Sequence, residues 1–286
     1  LSALRSSNRQ QDLVPLISKY EIVHAPSSST IAIARQFQKQ QQPSQQIAIF
    51  ADPVFSSKDE RLTSTIIASS DKRGSNSIAR LALERAARDL DVGVWQRLPG
   101  TRNEAEAILK LVSPQQEFHV FDFDANLDAA TKTKLDRYRI VHFATHGLLD
   151  TKSPELSGLV LSLVDRQGNG INGFLRLHEI FNLDLNADLV ILSACQTGLG
   201  QNVRGEGLVG LTRGFMYAGT PRVVVSLWSV ADEATAEFMS RFYTNFLKKG
   251  LTATEALRAT QLEMQQETKW KSPYFWAAFT LQGEWR

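Results

Sequence analysis

The 286-residue chain has a single cysteine. An internal disulfide is therefore impossible, and the fold does not depend on an oxidising compartment. No apolar run approaches the ~20 residues that a membrane-spanning helix needs, and no signal-peptide pattern opens the chain. An excess of charge is missing too. The 32 Lys and Arg against 30 Asp and Glu leave a formal +2, and the basic residues are scattered. That gives no footprint for nucleic acid. The remaining composition, 43% hydrophobic and 22% charged, lies near the globular average, which excludes bulk disorder. The length suffices for one large or two modest domains with a real core. The first residue is Leu rather than Met, so a piece of a longer protein is expected. The default is a soluble, cytoplasmic α/β domain.

Apolar, β-branched runs alternate with helical periodicity almost throughout. Strands are expected at 20–24, 46–50, 117–123, 138–144, 158–164, 188–194, 222–228 and 274–281. Helices fit 29–39, 77–90, 102–112, 127–137, 206–217, 232–248 and 253–267. Thr101 followed by Glu104 reads as a capping box that starts one of them. Strands separated by helices pair in parallel through right-handed crossovers. The fold class is thus α/β, a mostly parallel central sheet with helices on both faces. "VDRQGNGING" (Val164–Gly173) breaks the alternation as a turn or hairpin insert. A boundary near Gln115 separates an N-terminal α/β half, residues 1–115, from residues 116–286, which hold every strong motif.

In open parallel sheets, ligands and reactive groups gather beyond the carboxyl ends of the strands. "YRIVHFA" ends just before Thr145-His146-Gly147, "DLVILSA" ends at Cys195, and "RVVVSLW" ends just before Ser229 to Asp232. If the three are parallel neighbours, a histidine, a cysteine and an acidic loop converge on one rim. A cysteine attacks as thiolate, and its free pKa near ~8.5 leaves little of it ionised at neutral pH. An adjacent imidazole takes the proton and later delivers it to the leaving amine. The backbone amides of Gly147 and Cys195 are natural donors to the oxyanion, since Gly147 has no Cβ to block a substrate carbonyl.

Blander readings compete. A lone cysteine is most often a buried hydrophobe. His142 shares strand parity with Ile140 and Ala144 and is read as a core histidine; His146, in the turn beyond, is the functional one. Zinc held by His142 and His146 is disfavoured, because four residues of strand span about 13 Å. "GLGQNVRGEG" (Gly198–Gly207) lacks the ending of a P-loop and reads as an active-site loop. Ser193 sits in Leu-Ser-Ala-Cys, not in a nucleophile elbow. His24, His119 and His178 have surface or structural roles. No pattern calls for a cofactor.

Several segments carry a resemblance: "VHFATHG", "LSGLVLSL", "ADLVILSACQTGLG", "GEGLVGLTRGFMYAGTPRVVVSLWSVADEAT", "EALRATQLEM" and "SPYFWAAFTLQGEW", with "YEIVHAPSSST", "IFADPVF" and "LPGTRNEAEAI" before them. Together they resemble the CHAT domain, a caspase-like cysteine peptidase family of clan CD often fused to tetratricopeptide repeats. The caspase pattern places its histidine ~50 residues upstream of the cysteine; here 195 less 146 is 49. The resemblance implies a caspase-hemoglobinase fold and a cysteine endopeptidase acting on a protein or peptide substrate. His146 would be its acid/base, Cys195 its nucleophile, and a repeat region upstream would sense a signal or recruit substrate.

Caspase-like folds build part of the first specificity pocket from the loop here written "SVADE". Asp232 is thus the first candidate to grip a basic P1 side chain, its competing role being the N-cap of the next helix. Asp150, Glu155 and Glu206 are further acids near the mouth, and Trp228 is a candidate pocket wall. Arg204 or Arg222 would serve an acidic P1 residue instead; the reading favours Arg or Lys. The alternatives to an enzyme are a catalytically silent signalling or scaffold domain that binds partner peptides, and a redox-sensing cysteine.

Overall fold

The computed structural model describes residues 5–6, 14–25, 27, 31–32, 35, 42–62, 95–149, 153–193, 195–198 and 206–285. The expected helix 77–90 and most of 29–39 lie outside these residues. In chain order come β1 (Arg5–Ser6), β2 (Val14–Pro15), β3 (Val23–His24), β4 (Gln45–Pro53) and α1 (Pro99–Leu109). Next are β5 (Glu117–Asp122), α2 (Leu127–Lys132), β6 (Tyr138–Ala144), β7 (His146–Leu149), β8 (Gly158–Val160) and β9 (Phe174–Arg176). Then follow α3 (Leu177–Phe181), β10 (Leu189–Leu192), β11 (Cys195–Gly198), α4 (Glu206–Tyr217) and β12 (Arg222–Ser226). Last are α5 (Asp232–Tyr243), α6 (Ala253–Gln266), α7 (Pro273–Trp276) and β13 (Phe279–Gly283).

The main sheet has seven strands in the order β3-β13-β12-β10-β6-β4-β5. All neighbours pair in parallel except β12 with β13. Its central strands are continuous apolar runs, as expected of strands buried on both faces. Side chains alternate between two cores. Ile47, Ile49, Ile140, Ile191 and Val224 face α1, α5 and α6; Ala48, Phe50, Phe143, Val190 and Val225 face α3 and α4. Each Ile, Val or Phe among them, removed wholly from water, stabilises the fold by roughly 1.5–3 kcal/mol. β4, from before residue 115, lies between β5 and β6, from beyond it. The 164–173 insert is a turn: Val164 bridges Gly170 and Gly168 takes φ +80°.

Four local expectations are corrected. The chain does not turn at His146: Thr145 makes a bend, its hydroxyl donating to the Val160 carbonyl, and β7 begins at His146. Nor does a loop follow Cys195, which opens β11. These strands belong to a second sheet of order β11-β7-β8-β9. The capping box at Thr101 is absent because Pro99, favoured at a first helical position, starts α1 earlier; Thr101 Oγ1 donates to Leu98 O at 2.6 Å, and Glu104 is buried against His142. The strand expected from Tyr274 begins only at Phe279, since Ser272 caps and Pro273 opens α7.

Candidate active site

The site is built by two parallel neighbours that leave the main sheet together. β6 and β10 pair with Leu189 opposite Ile140 and Leu192 opposite Phe143. Ser193 N then donates to Phe143 O at 3.1 Å, and pairing resumes as β11 against β7 with Cys195 opposite His146. The offset is the same before and after the bend: 189 less 140 and 195 less 146 both give 49. The spacing between cysteine and histidine is thus the register of one parallel pair carried past the sheet end. Neighbouring strands lie about 4.8 Å apart. Gly147 occupies the next position of β7, between Leu159 of β8 and Gln196 of β11.

His146 is only 5% exposed. Phe55 and Trp95 hold its ring at centroid distances of 4.9 and 5.1 Å. Nε2 meets the main-chain carbonyl of Gln96 at 2.7 Å. A carbonyl only accepts, so Nε2 carries the proton and, in the neutral ring, Nδ1 is the base. Nδ1 is buried and has no hydrogen-bond partner among the described atoms. Burial pushes the His146 pKa below its ordinary value of 6.5, with the Gln96 bond opposing. The ring is therefore neutral at pH 7, oriented by a backbone acceptor and holding an unused lone pair.

His142 is a core histidine, as its parity indicates, and it is far from bare. Nε2 lies 2.8 Å from Glu104 Oε1 and Nδ1 lies 3.0 Å from the Tyr243 hydroxyl, with Ser193 Oγ at 3.4 Å from Nε2. All four side chains are buried. The Glu104 contact is close but not well aligned, as neither of its oxygens completes a hydrogen bond. Burial raises the Glu104 pKa, with His142 opposing, and raises that of Tyr243.

A family model for the CHAT domain matches residues 1–284. The chain belongs to the CHAT domain family. It is 38% identical over 105 residues to tetratricopeptide repeat protein 28 of Mus musculus and 35% identical over 105 residues to that of Homo sapiens. Each match covers 37% of this chain and 4% of the relative's length. Among solved structures, the Arg specific cysteine proteinase gingipain R aligns with 90% of this chain and 51% of its own, at 10% identity and a TM-score of 0.50. The Saccharomyces cerevisiae separase–securin complex aligns with 92% of this chain and 14% of its own, at 15% identity and a TM-score of 0.47. The likeness to gingipain R is one of fold: this CHAT domain is a caspase-like α/β structure with a mostly parallel sheet.

In this CHAT domain, Asp232 is not the N-cap of its own helix. Ala231 holds that place, and the Asp232 carboxylate accepts instead from Gly100 N, at 2.5 Å, in the first turn of α1. A Cβ on Gly100 would lie 2.5 Å from Asp232 Cγ, so glycine is required for this approach. Burial raises the Asp232 pKa; the Gly100 bond lowers it. Trp228 is half-buried, its indole N–H donating to Tyr274 O at 3.0 Å. Asp150 and Arg204 lie outside the described residues; Glu206 opens α4, and its side chain is likewise outside them. Arg222 begins β12 at the amino end of the sheet, so it is remote from this rim.

Sequence reasoning missed the groups that hold His146. They are Phe55, Trp95 and the Gln96 carbonyl, together with Asp52 and Arg97 behind them. Asp52, next to last in β4, has φ 48° and a fully buried side chain. Arg97 grips it through Nε and Nη2, both at 2.9 Å. The only available signal was that "IFADPVF" contains Asp52 and Phe55 and that "LPGTRNEAEAI" directly follows Trp95, Gln96 and Arg97. A backbone carbonyl leaves no mark in sequence. Among the described residues no three His, Cys, Asp or Glu side chains are grouped to hold a metal ion, and no helix is long and apolar enough to cross a membrane.

Proposed function

We propose that this CHAT domain is a cysteine endopeptidase in which Cys195 is the nucleophile and His146 the general acid/base. The observation supporting this most directly is the pairing of Cys195 with His146 in adjacent strands, beside a neutral imidazole whose Nδ1 is unused. In the proposed reaction the Cys195 sulfur bonds to the scissile carbonyl carbon while its proton passes to Nδ1 of His146. The amides of Gly147 and Cys195 are the proposed donors to the oxyanion. Collapse expels the amine, which takes the proton from His146, and leaves a thioester. Water then bonds to the thioester carbon as it gives a proton to the same Nδ1; the C–S bond breaks, the acid product leaves and the Cys195 sulfur takes the proton back.

The P1 residue we infer is Arg or Lys, held by Asp232 with Glu206, Asp150 and Trp228 as further walls. Asp232 already accepts from Gly100, but a carboxylate has about four lone-pair sites and can serve a second donor. Repeats upstream, by analogy with the relatives' name, would bring the protein substrate. A reducing, cytoplasmic setting suits an unpaired thiol.

A second reading is favoured by one observation. His146 is 5% exposed beneath Phe55 and Trp95, which suits a closed or catalytically silent scaffold that binds partner peptides. A peptide library separates the two. Cleavage by the parent and none by Cys195→Ala is the expected result; peptide binding by both with cleavage by neither would establish the scaffold.

The pH profile is a second test. His146 must be unprotonated to act, and burial lowers its pKa from 6.5. Activity therefore persists as pH falls through 6.5 and is lost only below it. A kcat/KM profile with its acid limb at or above 6.5 would count against the buried base.

A further inference from the structure

His146 is oriented by a peptide carbonyl, and a carbonyl is only as well placed as the chain that carries it. Gln96 belongs to a short strap, Trp95 to Leu98, which enters α1. Two of its four residues act on His146: Trp95 packs on the ring and Gln96 accepts from Nε2. Gln96 itself is exposed, so its own side chain does not anchor it. The next residue does.

Arg97 reaches across to Asp52 with a bidentate pair of hydrogen bonds, both at 2.9 Å. The Asp52 side chain has no exposure to water. Asp52 is itself fixed. It is next to last in β4, which lies beside β6, and its N–H donates to Thr101 Oγ1 at 3.2 Å. Arg61 lies 3.1 Å from its carboxylate, whereas Arg102, 3.7 Å away, is too far to hydrogen-bond to it and does not fix it. Those two arginines also pair with Asp122, Arg61 with Asp59 and Arg102 with Glu106; Arg97 takes Glu60 as a second, exposed partner. Arg97 alone of the three arginines lies on the strap. A planar guanidinium held at two points fixes direction as well as distance, which an ammonium cannot do.

We propose that the Asp52–Arg97 ion pair is a positioning device that holds the Gln96 carbonyl against His146 and so fixes the ring with Nε2 protonated and Nδ1 left as the base. Arg97 and Asp52 are positioning residues, not catalytic ones. The inference rests on reading His146 and Cys195 as the dyad, and its test is chosen so that the two fail separately.

Cys195 is the only thiol in the chain, so its alkylation by iodoacetamide reads that residue alone. The rate is measured against pH for the parent, His146→Ala, Arg97→Ala, Arg97→Lys and Arg102→Ala. A thiol without base assistance follows an ordinary pKa near ~8.5 and is only a few per cent thiolate at pH 7. His146→Ala should therefore react about tenfold more slowly than the parent at pH 7, with its profile displaced towards that value. Arg97→Ala should move the same way, and Arg97→Lys should restore only part of the rate because it cannot bind bidentately. Arg102→Ala, which removes a guanidinium from beside the same carboxylate but off the strap, should keep the parent profile.

A merely structural role would lower the melting temperature of Arg97→Ala and Arg102→Ala alike and shift neither profile. A parent-like profile for Arg97→Ala, with His146→Ala displaced, overturns the strap and spares the dyad. Equal displacement by Arg102→Ala also overturns it, since the strap would then not be the route. If His146→Ala itself reacts like the parent, the dyad has failed and the positioning role with it. Should Arg97→Ala not fold by circular dichroism, Arg97→Lys carries the test: a parent-like profile overturns the proposal and a displaced one supports it.

Discussion

His146→Ala is expected to lower kcat on a cleaved peptide by about 10³-fold or more in protein that is still folded. General acid–base catalysis by a placed imidazole is worth typically 10²–10⁴, and here one ring serves both acylation and deacylation, so its loss is felt in each. The loss falls on kcat because the missing interaction is made in the transition state rather than in substrate binding. His142→Ala is the matched control, as it lies four residues earlier on the same run and is also buried. Its ring is enclosed by Glu104, Tyr243 and Ser193, with no described path to substrate. Folded His142→Ala should retain thiol reactivity. If the two variants exchange these phenotypes, the assignment of the base is wrong.

The core position of His142 was legible in the sequence because parity along a strand is a local property. Ile140, His142 and Ala144 share a face, and the helix-packed core receives that face. The 49-residue separation was legible as a family pattern, and the structure adds its cause, a single register shared by β6–β10 and β7–β11. The paired apolar runs gave the main sheet for the same reason. Long-range pairing was not legible. "THGLL" and "CQTG" carry too few β-branched residues to announce strands; they are strands because each finds a partner across the bend and β8 closes the other side. Thr101 and Glu104 satisfy the capping pattern locally, yet Pro99 takes the helix start and His142 takes the carboxylate. The oriented ring depends on residues 90 and more positions from Cys195 in the chain, contributed through a main-chain oxygen. Single-sequence patterns have no access to such a contact.

Glu104→Ala and His142→Ala are each expected to destabilise the fold by about 3 kcal/mol or more, because removing one member of a buried pair strands the other without water. For a chain of this size that is roughly 6–10 °C in melting temperature. The double variant should lose less than the sum, as the stranded partner is gone too, and a thermodynamic cycle isolates that coupling. Glu104→Gln should be the mildest change, since it keeps the shape and carries no charge to bury. The pH dependence has a definite sign. Burial raises the folded-state pKa of Glu104 above 4.5, so the folded state binds the extra proton. That contribution is fully present below 4.5, the unfolded value, and is lost as pH rises through the raised folded one. Glu104→Gln removes this slope, so its stability relative to the parent should improve as pH increases. Melting curves of both proteins across that window decide the matter. A constant difference between them would mean that Glu104 has the same pKa folded and unfolded, which a carboxyl 1% exposed to water, with neither oxygen completing a hydrogen bond, does not allow.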